Sequence, residues 1–194
     1  LNEIEELIGI GKDENTSLIQ RATLAKLTSA QRTYMLNTIP SQCPMKECTT
    51  TSKFGYRIHP VTKEKKYHKG IDLRAKRRTE VFTTADGVVK YINDKDTGAF
   101  GRTVIVAHNF GFETVYAHLR FVNVKIGDVV KKGQLIAKSG NSGRSNGPHL
   151  HYEVRFIHRN VDPFSFLKWT QKNYTDIFQK EKKIPWQSLI MATA

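Results

Sequence analysis

Two histidines separated by one residue, His149 and His151, are the first candidates for chemistry in this sequence. In a β-strand, side chains two residues apart lie on the same face of the sheet, so both imidazoles would point one way while Leu150 points into the opposite layer. Either ring could bind a metal ion, or one could bind it while the other works beside it. Alone the pair is a weak signal, because two histidines at this spacing are more often a chance occurrence.

A third histidine, His68, precedes the carboxylate of Asp72 by four residues, with Gly70 between them. Glycine disfavours a helix, so we predict an extended segment or a tight loop in which the two side chains converge. By itself this pair is better explained as an ion pair at the surface. Together with the histidine pair, it can supply two imidazole nitrogens and one carboxylate oxygen. This is the ligand set of a zinc site with three protein ligands and an open fourth position.

An open zinc site points to catalysis, because structural zinc sites are usually closed by four protein ligands. Zinc lowers the pKa of bound water from about 15.7 to about 7 and polarises a scissile carbonyl. The sequence contains no H-E-x-x-H motif, so a glutamate base of the thermolysin kind is absent. The candidates for proton transfer are His118, on a predicted strand with Tyr116, and the member of the His149/His151 pair that does not bind the metal.

The elements that must position these residues belong to a predicted, mostly antiparallel β domain. From about residue 54 onward, short β-rich runs alternate with Gly and Asn turns. The predicted strands cover residues 81–84, 88–92, 103–108, 114–119, 134–138 and 150–156. A turn and a closing helix are predicted over residues 162–169.

The remaining segments divide the chain into three parts. Residues 1–39 carry apolar side chains at helical spacing, which predicts two or three short helices, and Pro40 ends this pattern. A connector follows. The last residues are polar and then moderately apolar, and we expect them to pack, with the N-terminal helices as the candidate partner. The predicted organisation is a helical segment and linker over 1–52, the β domain over 53–169 and a C-terminal tail over 170–194.

Composition narrows the classes of partner. The 31 Lys and Arg residues against 18 Asp and Glu give a formal net charge of +13, which attracts polyanions such as nucleic acid, anionic lipid or cell-wall polymer. No recognised nucleic-acid motif accompanies the charge, so we expect no specific nucleic-acid partner. No apolar run approaches the roughly 20 residues that cross a bilayer. We expect the exported part of a longer protein, with any membrane anchor outside this sequence.

The two cysteines, Cys43 and Cys48, flank four residues. They would close a small disulfide loop in an oxidising compartment, with two free thiols as the alternative. A zinc knuckle would need further ligands nearby, and the neighbouring sequence has none. We predict the disulfide.

Five motifs, in order, resemble the LytM/lysostaphin-type metallopeptidase family. They are Phe54–Pro60, His68-x-x-x-Asp72, Ala85–Val89, Tyr116–Leu119 and Gly140–Glu153. The resemblance covers residues 54–168 and implies a mainly β fold: an antiparallel β-sheet LytM-type peptidase core, here with a helical N-terminal segment and a short C-terminal helix and tail.

The resemblance also assigns roles to residues. It gives zinc the ligands His68, Asp72 and His151, and it gives catalysis to His118 and His149. All five positions match the family's active pattern, unlike members that have lost zinc ligands and act as amidase activators.

The implied function is that of a zinc-dependent endopeptidase that hydrolyses peptide cross-links of peptidoglycan in the periplasm or cell envelope. The sequence is most similar to the Gram-negative, cell-shape-determining D,D-endopeptidase subgroup. The implied partners are the peptidoglycan peptide and, through the helical arm, a second LytM-type domain. The alternative is a latent or partner-dependent regulatory module of the same fold, in which the N-terminal helices occlude the groove.

Overall fold

The computed structural model describes residues 27–58 and 64–193. The strands in these ranges are β1 (Thr50–Ser52), β2 (Gly55–Ile58), β3 (Lys65–His68), β4 (Ile71–Arg74), β5 (Glu80–Phe82), β6 (Gly87–Asn93), β7 (Arg102–His108), β8 (Phe112–Val122), β9 (Val129–Val130), β10 (Leu135–Ser139), β11 (His149–Phe156) and β12 (Arg159–Val161). The helices are α1 (Ser29–Thr38), α2 (Pro163–Leu167), α3 (Asp176–Lys180) and α4 (Trp186–Met191), with 3-10 turns at Asn109–Gly111 and Gln171–Asn173.

Ten of these strands form one antiparallel sheet in the order β1-β4-β11-β8-β7-β6-β9. Strand β10 pairs with β8 and β5, and β12 pairs with β11, while β2 and β3 form a separate two-stranded sheet. The centre of the sheet is β8, whose first eight residues are all buried. Tyr116 on β8 and Tyr152 on β11 lie opposite each other, and both hydroxyls bond to Thr84, which satisfies these polar atoms inside the core.

The predicted fold class is confirmed, and each of the six predicted strands is present with shifted ends. The strands that the sequence pattern does not predict are short. They include β3 and β4, which carry two of the candidate ligands. Strand β3 has the sequence Lys-Lys-Tyr-His and lacks the alternation of apolar and polar residues that marks a strand. It forms because β2 supplies its hydrogen-bond partners.

One hydrophobic core contains residues from all three predicted segments. Met35 and Ile39 of the α1 region are fully buried, and they share the core with β-domain residues and with an aromatic group near the C-terminus. The hydroxyl of Tyr174 lies 2.9 Å from the sulfur of Met35, so the predicted packing of the tail against an N-terminal helix is confirmed. Helices predicted before residue 27 lie outside the described residues, and the boundaries at 52/53 and 169/170 stay predictions.

The connector contains the predicted disulfide between Cys43 and Cys48. Ser41 ties the connector to the sheet through a backbone hydrogen bond to Thr84. Within the ranges that the structure describes, no helix has the length and apolar character needed to span a membrane.

Candidate metal centre and catalytic groove

The register of two strands brings Asp72 and His151 together. Asp72 on β4 is directly opposite His151 on β11 in an antiparallel pair. Side chains at opposed positions lie on the same face, with their Cβ atoms about 5 Å apart. Asp72 Oδ1 consequently lies 2.9 Å from His151 Nδ1. The intervening Leu150 points away and is fully buried in the core.

His68 reaches the same point from the end of β3, after which the chain bends sharply into β4. At Gly70 in this bend the backbone passes so close to β11 that an added Cβ would lie 2.4 Å from the carbonyl oxygen of Tyr152. Only glycine fits there without a shift of the backbone. The bend leaves His68 Nε2 at 3.1 Å from Asp72 Oδ1 and at 3.1 Å from His151 Nδ1.

The three converging atoms suit a zinc ion. Bonds of about 2.0–2.1 Å at tetrahedral angles would separate neighbouring ligand atoms by about 3.3 Å, close to the separations of His68 Nε2, Asp72 Oδ1 and His151 Nδ1. All three residues are buried. Two imidazoles and one carboxylate are also a preferred donor set of catalytic zinc, so the residues fit the ion.

In each of the two candidate ligand histidines, the ring nitrogen that faces away from the centre also has a hydrogen-bond partner. His68 Nδ1 lies 2.8 Å from the carbonyl oxygen of Lys53, and His151 Nε2 lies 3.1 Å from Glu153 Oε1. Because both oxygens only accept hydrogen bonds, each nitrogen that faces away from the centre donates its proton to one of them, and the nitrogen that faces the centre is the one available to a metal ion. Glu153 is fully buried, and Arg155 donates to its other oxygen.

Glu153 was not singled out as a site residue from the sequence, although a signal existed. His151 and Glu153 are two residues apart on one strand and therefore share a face. A carboxylate behind a histidine ligand is a common arrangement in metal sites, since it fixes the tautomer and the orientation of the ring.

The electrostatics of the centre favour a cation. Burial alone would raise the pKa of Asp72, but hydrogen bonds from His151 and His68 hold that pKa well below its usual range. Burial alone would lower the pKa of His151, whereas its bonds to Asp72 and Glu153 raise it. Two buried carboxylates therefore surround these histidines, and a divalent ion would neutralise them in place of a proton.

His149 lies beside the three ligand atoms, with Nε2 at 3.6 Å from Asp72 Oδ1. Its Nδ1 lies 2.8 Å from the carbonyl oxygen of Gly147, so Nδ1 carries the proton. The bare Nε2 faces the candidate metal centre. The ring can accept a proton there.

His118 occupies a strained position at the point where β8 changes partners from β11 to β10. Its φ of 59° is in the left-handed region, which few non-glycine residues adopt. Its Nδ1 lies 2.8 Å from the carbonyl oxygen of Ser142, so Nε2 is again bare, and its ring centroid lies 4.7 Å from that of His149. Burial lowers the pKa of His118 to about 4, which keeps the ring neutral near pH 7.

The walls of the groove come from loops. The carbonyl oxygen of Phe100 accepts the backbone N–H of His118 at 2.9 Å, and the Phe100 ring stacks on His151 with centroids 5.4 Å apart. Nothing in the sequence around Phe100 indicates this role. Gly143 lies so close to Gly101 that an added Cβ would be 2.3 Å from the Gly101 nitrogen, and both have positive φ, so the two loops lock together.

The structure thus brings all five predicted site residues into one cluster. Arg57 Nη1 lies 2.6 Å from Ser52 Oγ and 3.6 Å from Asp72 Oδ2, so it contacts a candidate ligand. His108 Nδ1 bonds to the carbonyl oxygen of Asp86, and this histidine does not belong to the group of candidate ligands.

Comparisons with known proteins agree with this geometry. The model of Peptidase family M23 matches residues 66–163. A DD-carboxypeptidase/endopeptidase, Mpg, from Neisseria meningitidis serogroup B is 41% identical over 122 residues, which cover 63% of this chain and 28% of that protein. The peptidoglycan DD-endopeptidase ShyA of Vibrio cholerae is 43% identical over 98 residues, covering 50% of this chain and 22% of that protein. The chain thus spans less than a third of either relative.

Solved structures give the same result. A zinc-containing peptidase from Vibrio cholerae matches with a TM-score of 0.57 and 34% identity over 70% of this chain and 40% of that one. The catalytic domain of lysostaphin from Staphylococcus simulans matches with a TM-score of 0.54 and 29% identity over 62% of this chain and 92% of that one. Because the family model covers half of the chain and solved structures of this type share its fold, this chain belongs to peptidase family M23, the LytM-type metallopeptidases.

Proposed function

We propose that the chain is a zinc-dependent endopeptidase that hydrolyses peptide cross-links of peptidoglycan, with D,D-endopeptidase specificity, in cell-wall remodelling and the control of cell shape. The observation that carries the proposal is the convergence of His68, Asp72 and His151 beside two histidines whose bare nitrogens complete the groove. The names of two relatives, Mpg and ShyA, support the substrate class.

The metal would be held by His68, Asp72 and His151. When bound, zinc supplies a positive charge that acidifies a water molecule and polarises the scissile carbonyl. The carbonyl oxygen of Lys53 and the carboxylate of Glu153 keep the two ligand rings oriented, as outer partners of metal ligands do elsewhere.

We assign His149 as the general base. Its Nε2 is bare and lies next to the ligand cluster, and its Nδ1–H is anchored on Gly147. Asp72 lies 3.6 Å from that nitrogen, so the imidazolium formed on proton uptake would face a carboxylate.

We assign His118 to the oxyanion and the leaving group. Because Nδ1 donates to Ser142, neutral His118 has no proton on Nε2 with which to bond an oxyanion. The proton released by the attacking water is available to this pair of neighbouring rings. His149 takes up that proton as the base and passes it to Nε2 of His118, whose N–H then donates to the developing oxyanion and finally gives the proton to the leaving nitrogen.

The proposed location is the cell envelope, in the periplasm. Peptidoglycan lies outside the cytoplasm, and the disulfide between Cys43 and Cys48 suits an oxidising compartment. Pairing with a second LytM-type domain stays a prediction.

The proposed function is tested with the zinc-loaded 194-residue chain and purified cross-linked muropeptide dimers, with products identified by mass. We expect about one equivalent of zinc and conversion of dimers to monomers. The variant His68→Ala should lose zinc and activity together, because it removes a ligand. The variant His118→Ala should keep zinc and lose at least about 100-fold in rate, as expected for a proton-transfer group.

His158→Ala is the matched control, since this side chain is 78% exposed in a turn away from the groove. Bound zinc with untouched dimers would show that the substrate is wrong. Full activity in His118→Ala would contradict the assigned role. A chain that starts at residue 27 retains α1, which belongs to the core, and a gain in its activity would assign an inhibitory role to residues 1–26.

A further inference from the structure

A second concave site lies immediately beside the catalytic groove. It is a cleft of about 340 Å³, a volume within the usual range of ligand sites. Four arginines and one aspartate line it, together with Ser142 at its inner end: Arg77, Arg78, Arg102, Arg120 and Asp96. We call this site the arginine cleft.

The arginine cleft is continuous with the catalytic site. Ser142 lines the cleft, and its carbonyl oxygen accepts the hydrogen bond from His118 Nδ1. Leu119, the next residue after His118, lines it too, and Arg120 follows on the same strand. A group bound in the cleft would therefore lie beside a bond held at His118, because Ser142 and Leu119 contact both places.

Most of the positive charge in the cleft is not neutralised by the protein. Arg102 is 3.6 Å from Asp94 and 3.6 Å from Asp96, so it is paired. Across residues 27–58 and 64–193, no carboxylate lies within ion-pair distance of the other three guanidinium groups, those of Arg77, Arg78 and Arg120.

Asp96 does not cancel this charge. One of its oxygens accepts the backbone N–H of Gly143 at 2.7 Å, and the other faces Arg102. Asp96 therefore holds Arg102 and the neighbouring loop in place and leaves three cations directed at the cleft. Like charges that line one cleft repel one another, and a bound anion would relieve that repulsion.

The chemistry of arginine identifies the ligand class. Guanidinium groups present planar, paired N–H donors that match the two oxygens of a carboxylate. We propose that the arginine cleft binds a free carboxylate of the peptide substrate next to the bond that is cut. The inference rests on the proposed function and deepens it, because it makes the enzyme selective for cross-linked peptides that carry a carboxylate at that position.

The test compares two muropeptide dimers that differ in one group, a free carboxylate or its amide, on the residue adjoining the cross-link. The enzyme is the zinc-loaded 194-residue chain at about 150 mM salt, where long-range attraction is screened beyond about 8 Å. We expect the wild type to cleave the carboxylate dimer about tenfold better in kcat/KM, mostly through KM, as partly exposed charge-assisted hydrogen bonds would give.

The variant combines Arg77→Gln with Arg120→Gln, which keeps long side chains and removes two charges. Its matched control combines Arg159→Gln with Lys172→Gln, which lowers the net charge equally at exposed positions outside the cleft. Arg159 on β12 lies opposite Phe156, which is at the end of β11 remote from His149. We expect the first variant to cleave both dimers at the rate at which the wild type cleaves the amide, and the control to keep the tenfold preference.

Equal cleavage of both dimers by the wild type would overturn the inference. So would an equal loss of preference in the control variant. A binding experiment, the binding arm of the test, separates this inference from the proposed function. Stem-peptide monomers that the enzyme cannot cleave, with the carboxylate either free or amidated, are titrated against the zinc-loaded chain. If dimers are not cleaved but the free carboxylate binds about tenfold better through Arg77 and Arg120, the function is wrong and the cleft assignment stands.

Inorganic phosphate serves as the competing anion in the binding arm. If phosphate displaces the monomer at concentrations below the monomer's own dissociation constant, the cleft is a phosphate site and the carboxylate assignment is overturned. Weak competition by phosphate, with amidation as the stronger effect, supports the carboxylate.

Discussion

At the scale of single residues, the site depends on hydrogen bonds that determine which ring nitrogen of each histidine donates to the protein and which one faces the site. His68, His118 and His149 each donate to a backbone carbonyl, whereas His151 donates to the carboxylate of Glu153. A carbonyl is neutral, but Glu153 is a buried anion directly behind a candidate ligand. Glu153 therefore increases the basicity of His151 as well as orienting it.

This arrangement predicts the effect of Glu153→Gln. The amide keeps the size of the side chain but removes the negative charge that supports His151, so we expect zinc affinity to fall by about 10- to 100-fold. The measurement is zinc competition against a chromogenic chelator. Glu80→Gln, at an exposed position on β5, is the control and should leave the affinity unchanged. Unaltered affinity in Glu153→Gln would show that this carboxylate does not support the ligand.

At the scale of elements, the metal centre depends on the way β3 turns into β4. The two strands are short, and the bend at Gly70 sets His68 over Asp72 because the backbone there lies against β11. Strand β11 in turn fixes His151 opposite Asp72 through register. A shift of one residue in that register would place His151 on the opposite face of the sheet.

The bend predicts the effect of Gly70→Ala. The new methyl group would meet the carbonyl oxygen of Tyr152 and force β3–β4 away from β11. We expect a loss of about 1–3 kcal/mol in the free energy of unfolding, as in other overpacked sites, together with weaker zinc binding. Denaturant unfolding of the metal-free chain measures the stability.

Gly147→Ala is the matched control for unfolding, because no atom lies within 4 Å of the added methyl group and the position does not require a positive φ. If Gly70→Ala unfolds at the same denaturant concentration as the wild type, the close approach at this bend does not constrain the fold.

At the scale of the whole molecule, one core links α1, the sheet and the C-terminal helices. His108 ends β7 within this structure, where Nδ1 bonds to the Asp86 carbonyl and Nε2 to Thr114. Burial lowers the pKa of His108 to about 4 from its ordinary 6.5, although Asp86 and Glu113 act in the opposite direction. Because His108 is buried in the folded protein, it makes the stability of the fold depend on pH.

The expected dependence has a definite sign. Between pH 6.5 and about 4 the unfolded chain binds a proton at His108 that the folded chain excludes, so stability falls as the pH is lowered through this window. The contribution is fully present above pH 6.5 and amounts to about 3 kcal/mol at most. The free energy of unfolding is measured as a function of pH for the wild type and for His108→Gln. Subtracting one profile from the other removes the contribution of the other histidines.

We expect the slope to be smaller in His108→Gln than in the wild type. Parallel pH profiles for the wild type and His108→Gln would show that burial of His108 is not coupled to folding.

The sequence by itself determined the residue types and their order: the two motifs with the candidate metal ligands, the additional His118, the β-rich character of the central segment and the family to which they belong. These are local properties, because ligand chemistry and side-chain alternation are readable over a few neighbouring residues. The short strands β3 and β4 were not recognised, since their pairing depends on β2 and β11 rather than on their own composition.

Only the tertiary structure decided which groups support and flank the site. Phe100 reaches His151 from a loop about 50 residues away, and the arginine cleft gathers side chains from the loop after β4, the start of β7 and the end of β8. Such proximity follows from strand register, from the register shift around His118 in the pairing of β7 with β8 and from the close contact of two glycine loops. Each depends on the packing of segments far apart in the chain, and no local pattern specifies it.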